Sequence, residues 1–288
     1  MSGVLLCACA TGEKAREVPV PAPGGFHVGG ENRETVETGS LWYNRDVEIP
    51  LWEDAPQGLE SGSIPALSVS LKLLDTEVLA RGETVKALER LLRDTFYRGL
   101  LVRDYTEDQI RVQTMEYRDM GEEARYNMWL VNSATLNWDY RETFQMPVNG
   151  TRLLVVSRER FFYSGGAHPN YDKIYFVFDR EVGVRIGLAD VIRQESLPAL
   201  KELINRELRL YKKIGSGDSL KNALFFVNEA EPTENYFFSS QGLVFHWDPY
   251  EIASYAEGYV EVCLPYDEIW EFLAPEGRRM AQEFADLP

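Results

Sequence analysis

The chain reads as an α+β protein of two sub-domains, with mostly antiparallel sheets against packed helices. Three observations predict this. Its 288 residues are 44% hydrophobic, enough for a substantial core in one large or two ordinary domains. Stretches of apolar residues with period 2 and with period 3.6 both occur, so strands and helices are both present. The strands come in runs separated by turn-type residues and are interrupted by helices rather than alternating regularly with them, which separates α+β from the doubly wound class.

Residues 1–9 read as a truncated lipoprotein leader. Gly3 to Cys9 resembles the end of an apolar signal segment, and Leu6-Cys7-Ala8-Cys9 resembles a lipobox. In such a motif the leucine fills an apolar subsite of the signal peptidase, the small alanine permits close approach, and the thiol, here Cys9, takes the lipid. No basic segment precedes the apolar run, so the leader is expected to begin upstream of Met1. The competing reading of these residues is a short apolar N-terminal strand. Residues 10–39 are rich in Pro, Gly and charge, as a tether is, and His27 lies within them.

Folded sequence begins at about residue 40, with sub-domains expected at 40–150 and 151–288. Leu67, Val69, Leu71 and Leu73 alternate as in a half-buried strand, and Val85, Leu88, Leu92 and Phe96 recur at helical spacing over 83–98. Thr106-Glu107-Asp108-Gln109 has the pattern of a capping box and opens a helix expected to stop or kink at Gly121. From 125 the chain is aromatic and β-branched, and Pro147-Val148-Asn149-Gly150 marks a turn. A strand from Leu153 to Tyr163 then meets Ser164-Gly165-Gly166-Ala167-His168-Pro169-Asn170, a glycine turn, before a strand over 171–178. A short helix at 190–192 and an amphipathic helix at 197–212 follow, the latter with Leu200, Leu203, Ile204 and Leu208 on one face. Strands at 236–239, 242–247 and 259–264, a helix opened by Pro265 and a terminal helix at 275–286 complete the pattern.

Charge and cysteine usage bound the partners. With 46 acidic against 30 basic side chains the formal charge is −16, which repels nucleic acid and anionic membrane and raises the encounter rate with a cationic protein. Solubility alone also accounts for such a balance. Cys7, Cys9 and Cys263 cannot form a disulfide framework within the folded part. Membrane contact is therefore expected through a lipid anchor only, with the chain exported to the periplasm or cell surface.

Two separated motifs carry a family resemblance. Tyr163-Ser164-Gly165-Gly166-Ala167-His168-Pro169 is followed by a Gly183 turn, Leu188-Ala189-Asp190-Val191 and the Leu200/Leu203/Ile204 helix. The second motif is Gly242-Leu243-Val244-Phe245 with Pro249-Tyr250-Glu251-Ile252-Ala253-Ser254-Tyr255-Ala256-Glu257-Gly258. Over about 160–270 the sequence resembles the C-terminal extracellular domain of the lysozyme-sensing anti-sigma factor RsiV. Residues 40–150 are similar in outline to the companion domain that precedes the catalytic domain of the peptidoglycan deacetylase PdaC. The resemblance implies a non-catalytic envelope binding or sensor domain, with lysozyme-like proteins or peptidoglycan as ligands. RsiV-like sensors also carry a cytoplasmic segment and a membrane helix, which this sequence lacks, so the resemblance is one of domain rather than of role.

On the functional reading, Tyr163, Gly165, Gly166, His168 and Asn170 form a rim that contacts a ligand, and Trp247, Tyr250 and Tyr255 an aromatic platform. On the structural reading the first set closes a hairpin and the second is core. Catalytic chemistry finds little support. The histidines stand apart at 27, 168 and 246, no HExxH occurs, and no metal or cofactor is expected. The deacetylase motifs are absent, and Ser164 lacks the GxSxG elbow. Gly215 to Asn222 departs from a phosphate loop and reads as a flexible linker. The remaining alternative is a cell-wall enzyme of unrecognised mechanism that uses the Ser164–His168 turn.

Overall fold

A computed structural model describes residues 40–52, 64–79, 86–126 and 133–284, together with the strands β1 (Val4–Cys7) and β2 (Arg33–Thr35). The protein is α+β, as predicted. It divides into two compact units, and three strands pass from one to the other. The first unit comprises residues 25–145 and 158–172, and the second 1–24, 146–157 and 173–288. The division is interleaved along the chain. The expected lipidation site Cys9 and most of the tether, with His27, lie outside the described residues.

The first unit is built on β3 (Trp42–Pro50) and β4 (Ala66–Leu74), antiparallel from Trp42↔Leu74 to Pro50↔Ala66. Leu67, Val69, Leu71 and Leu73 are each at most 1% exposed, so the predicted period-2 face is the buried one. Next come the helices α1 (Thr76–Leu79), α2 (Lys86–Tyr97) and α3 (Val102–Tyr126), which return the chain to β5 (Trp138–Asn149). β5 runs parallel to β4 from Leu67↔Trp138 to Lys72↔Thr143, a pairing that needs such a crossover. The Tyr97 hydroxyl clamps the end of β4, donating to Leu74 O at 2.6 Å and accepting from Leu74 N at 2.9 Å.

Helix α3 departs from expectation at both ends. It begins at Val102, so Thr106 lies inside it and its hydroxyl donates back to Val102 O at 2.8 Å instead of capping. It also runs through Gly121 without stopping. A Cβ there would sit 2.3 Å from Leu51 Cδ1, so the glycine serves close packing rather than termination. Residues 125 and 126 are accordingly helical, where a strand was expected.

In the first unit the strand order is β2-β3-β4-β5, then β6 (Leu153–Tyr163) and β7 (Asn170–Asp179). In the second, the ends of β5 and β7 and the start of β6 continue to β8 (Val184–Arg185). β5 extends to Asn149, and the reversal falls at Gly150, whose N–H donates to Leu153 O at 2.9 Å. Leu153 to Val156 are completely buried.

The second unit continues with α4 (Leu188–Val191) and α5 (Leu197–Lys212). Leu200, Ile204 and Leu208 of α5 are completely buried, as the 3.6 period predicts, and Leu203 packs beside them. Residues 220–223, inside the expected flexible linker, form a 3-10 turn capped by Ser219. A second sheet holds β9 (Tyr236–Phe238), β10 (Leu243–Trp247) and β11 (Val260–Leu264), antiparallel in sequence, with β1 added parallel to β11 from Val4↔Val260 to Cys7↔Cys263. Two helices close the chain, α6 (Tyr266–Ile269) after Pro265 and α7 (Pro275–Ala281), shorter than the expected 275–286.

Candidate functional site

The eight residues expected at a ligand site divide between the units, five in the first and three in the second. In the first, Tyr163 ends β6 half-buried, and Gly166, His168 and the first residue of β7, Asn170, are exposed. Gly165 has φ +82, and a Cβ on it would lie 1.8 Å from Thr135 O, so a left-handed backbone and a close approach both require glycine. Gly166 meets neither demand, since the nearest atom to a Cβ there is His168 O at 3.9 Å. His168 Nδ1 lies 3.0 Å from Pro169 O, a contact that assigns the proton to this nitrogen because the carbonyl only accepts. With Nδ1 so engaged, the arrangement is that of a closed turn with an exposed imidazole.

The expected aromatic platform, whose three members all lie in the second unit, is not formed as a whole. Trp247 is 4% exposed and belongs to the core beside Phe245, because β10 is covered on both faces. Tyr250 is 54% exposed. It stands in the turn that leaves β10, at φ +73, with its N–H donating to Ala253 O at 3.0 Å and its ring 5.9 Å from that of Tyr255. Adjoining this turn, Phe225 bridges Ala253 and Phe226 N donates to Ile252 O at 2.8 Å. Phe226 and Leu224 are exposed, and Leu224 also has positive φ, +68.

Two buried charged clusters escaped the sequence reading. In the first unit, period-2 alternation puts Glu142 on the inner face of β5 with Tyr140 and Phe144. The Tyr105 hydroxyl donates to its carboxylate, 3.1 and 3.0 Å from the two oxygens, and Arg158 Nε lies 3.9 Å away. Burial pushes the Glu142 carboxyl above its usual range, against the pull of Arg158 and Tyr105, and burial likewise pushes up the Tyr105 phenol. Glu142 is completely buried, which closes it to substrate.

In the second unit His246, also completely buried, lies between two carboxylates: Nδ1 is 2.8 Å from Glu261 Oε1 and Nε2 3.1 Å from Asp248 Oδ1. Asp248 Oδ1 also accepts from Lys173 N at 2.9 Å, and Glu261 Oε1 from the Tyr175 hydroxyl at 3.3 Å. The His246 and Asp248 spacing, two residues apart across the end of β10, was visible in sequence; the Glu261 partner comes from the β10–β11 register.

A pocket of about 410 Å³ in the same unit is lined by Tyr175, Val177, Ile186 and Tyr236, with the charged side chains of Arg185 and Glu234 among its walls. None of the eight expected residues lines it. Among the described residues no group of three or more His, Cys, Asp or Glu side chains is placed to hold a metal ion, and no helix is long and apolar enough to cross a membrane.

The fold and this arrangement define an α+β protein with a buried imidazole held between two part-buried carboxylates beside an exposed tyrosine turn. Residues 189–267, which include α5, β9, β10 and the Tyr250 turn, match the family model DUF3298, a protein of unknown function, and the chain carries a domain of that family there. It is similar in fold to the crystal structure of a DUF3298 family member, BF2082 from Bacteroides fragilis NCTC 9343. The TM-score is 0.66 at 20% identity, over 85% of this chain and 96% of that one. A DUF3298 family protein from Pseudomonas aeruginosa PAO1, PA4972, aligns at TM-score 0.49 and 16% identity over 82% of this chain and 94% of that one. No curated protein matches.

Proposed function

We propose that the protein is a non-catalytic binding component of the cell envelope, exported and anchored by a lipid on Cys9, whose ligand is a cationic lysozyme-like protein or cell-wall glycan. The observation that carries this reading is Tyr250. A bulky residue at positive φ costs about 1–3 kcal/mol, and such strain is held where a side chain has work to do outside the fold. Here an aromatic ring that contributes little to the core is presented to solvent in a strained turn. Aromatic rings with one polar tip suit both protein hot spots and sugar stacking. The charge of −16 favours encounter with a cationic protein, and the resemblance of Tyr163–Pro169 and Pro249–Gly258 to the RsiV-type domain directs the search to lysozyme-like ligands.

Calorimetric titration with lysozyme and with peptidoglycan fragments tests the proposal. Binding to at least one is expected, weakened about tenfold or more by Tyr250→Ala. Tyr250→Gly, which relieves the backbone, should lose the same affinity while gaining about 1 kcal/mol of stability. No binding to either ligand, or glycan turnover abolished by His168→Ala, overturns it. Cleavage before Cys9 would also remove β1 and leave β11 as a sheet edge. Fatty-acid label on the wild type and not on Cys9→Ser is expected; label on neither sinks the anchor.

A further inference from the structure

A neutral imidazole has one N–H, so it can donate to only one of two flanking carboxylates; an imidazolium donates to both. His246 meets a carboxylate oxygen at each nitrogen, and carboxylates accept but do not donate when ionised. Full satisfaction of this buried cluster therefore requires the charged ring. The groups facing it come from every neighbouring element. They are Asp248 and, behind it, Glu251 from the turn after β10; Glu261 of β11, with Tyr259 just before that strand; and Tyr175 and Lys173 of β7. The Lys173 ammonium lies 5.3 Å from the centre of the Tyr175 ring, whose hydroxyl is bonded to Glu261.

The Asp248 carboxylate is the hinge of the arrangement. It holds Lys173 N of β7, while its own N–H donates to Glu251 Oε2 at 2.7 Å, and Glu251 N returns a bond to Asp248 O at 3.1 Å. Tyr250 lies between these two residues.

We propose that His246 is a charge-dependent clasp: as an imidazolium it ties the Asp248–Glu251 turn, with Tyr250 in it, to the β10–β11 ladder, and loss of its proton on the alkaline side loosens that turn. When the proton passes to solvent, one of the two carboxylates loses the hydrogen bond it takes from the buried ring, and the turn loses one of its fixings. Burial draws the proton off the ring, but the hydrogen bonds to Asp248 and Glu261 and their charges outweigh it and hold the pKa above the ordinary 6.5. The sign follows: a group whose folded pKa is raised contributes stability that is fully present below 6.5 and is lost as pH rises through the folded value. The consequence for ligand binding rests on the reading of Tyr250 given above, whereas the clasp itself does not.

Nitrogen-detected NMR of the full chain, with no ligand added, tests it. Both His246 ring nitrogens should carry protons at pH 6, and the loss of one should fall above pH 6.5. As one of the two is lost, the amide protection factors of Asp248, Tyr250 and Glu251 should fall by about tenfold or more, the loss of one charge-assisted hydrogen bond. His246→Gln, neutral at every pH, should show the lower protection throughout and no transition. A His246 ring already neutral at pH 6, or protection that stays flat while the ring titrates, overturns the proposal; should the variant not fold, the wild-type titration alone decides. Ligand binding lost with the clasp intact would count against the binding reading alone.

Discussion

Glu142 and His246 each sit in mid-strand, each without exposed surface, one in either unit. Both have pKa values raised from their ordinary ones, and the shared direction has opposite meanings. For the carboxyl, burial is the largest influence and prevails, so ionisation costs more than it does in water. For the imidazole, burial is again the largest single influence, yet two carboxylates at hydrogen-bond distance together overcome it, so the charged form is favoured. The difference lies in the number and geometry of partners. Glu142 has one neutral donor and a guanidinium at 3.9 Å, whereas His246 has an anion on each nitrogen. A buried charge is tolerated when every one of its hydrogen-bonding positions is matched, and otherwise it is suppressed. In linkage terms both lose stability as pH rises, Glu142 in a window beginning above 4.5 and His246 in one beginning above 6.5.

The largest effect is expected from Glu261→Ala, which leaves the imidazolium with Asp248 alone. Urea unfolding should show a loss of about 3 kcal/mol near pH 6, shrinking at alkaline pH once the ring is neutral. An equal loss at both would mean that the ring's charge contributes nothing. Glu142→Gln should do much less, because it keeps the shape and removes a charge that is already disfavoured. A change within about 1 kcal/mol at pH 7 is expected, together with a flatter stability profile above pH 4.5, and a loss above about 3 kcal/mol would place Glu142 in the same class as His246. The smallest effect belongs to the exposed histidine. His168→Ala should alter stability by no more than about 0.5 kcal/mol, and a larger loss would mean that its Pro169 contact holds the β6–β7 turn.

Much of the fold was legible because its causes are local. Period-2 burial in β4, the apolar stripe of α5 and the need for glycine at position 165 follow from side-chain direction and allowed φ, which few neighbours can override. Strand β3 was not anticipated, since its charged residues interrupt the alternation and only pairing with β4 shows its role. The extension of α3 through Gly121 was hidden for a similar reason, because the reason for that glycine, Leu51, lies far away in sequence.

The site divides in the same way. The sequence by itself determined that a glycine turn follows β6 and that tyrosines cluster after β10. Only the tertiary structure decided that Trp247 is core while Tyr250, three residues on, is exposed, because burial depends on what covers each face of a strand. It also decided that His246, one of three scattered histidines in the chain, is held between two carboxylates. Fifteen residues separate His246 from Glu261 along the chain, and strand register, which sequence spacing does not encode, brings them together.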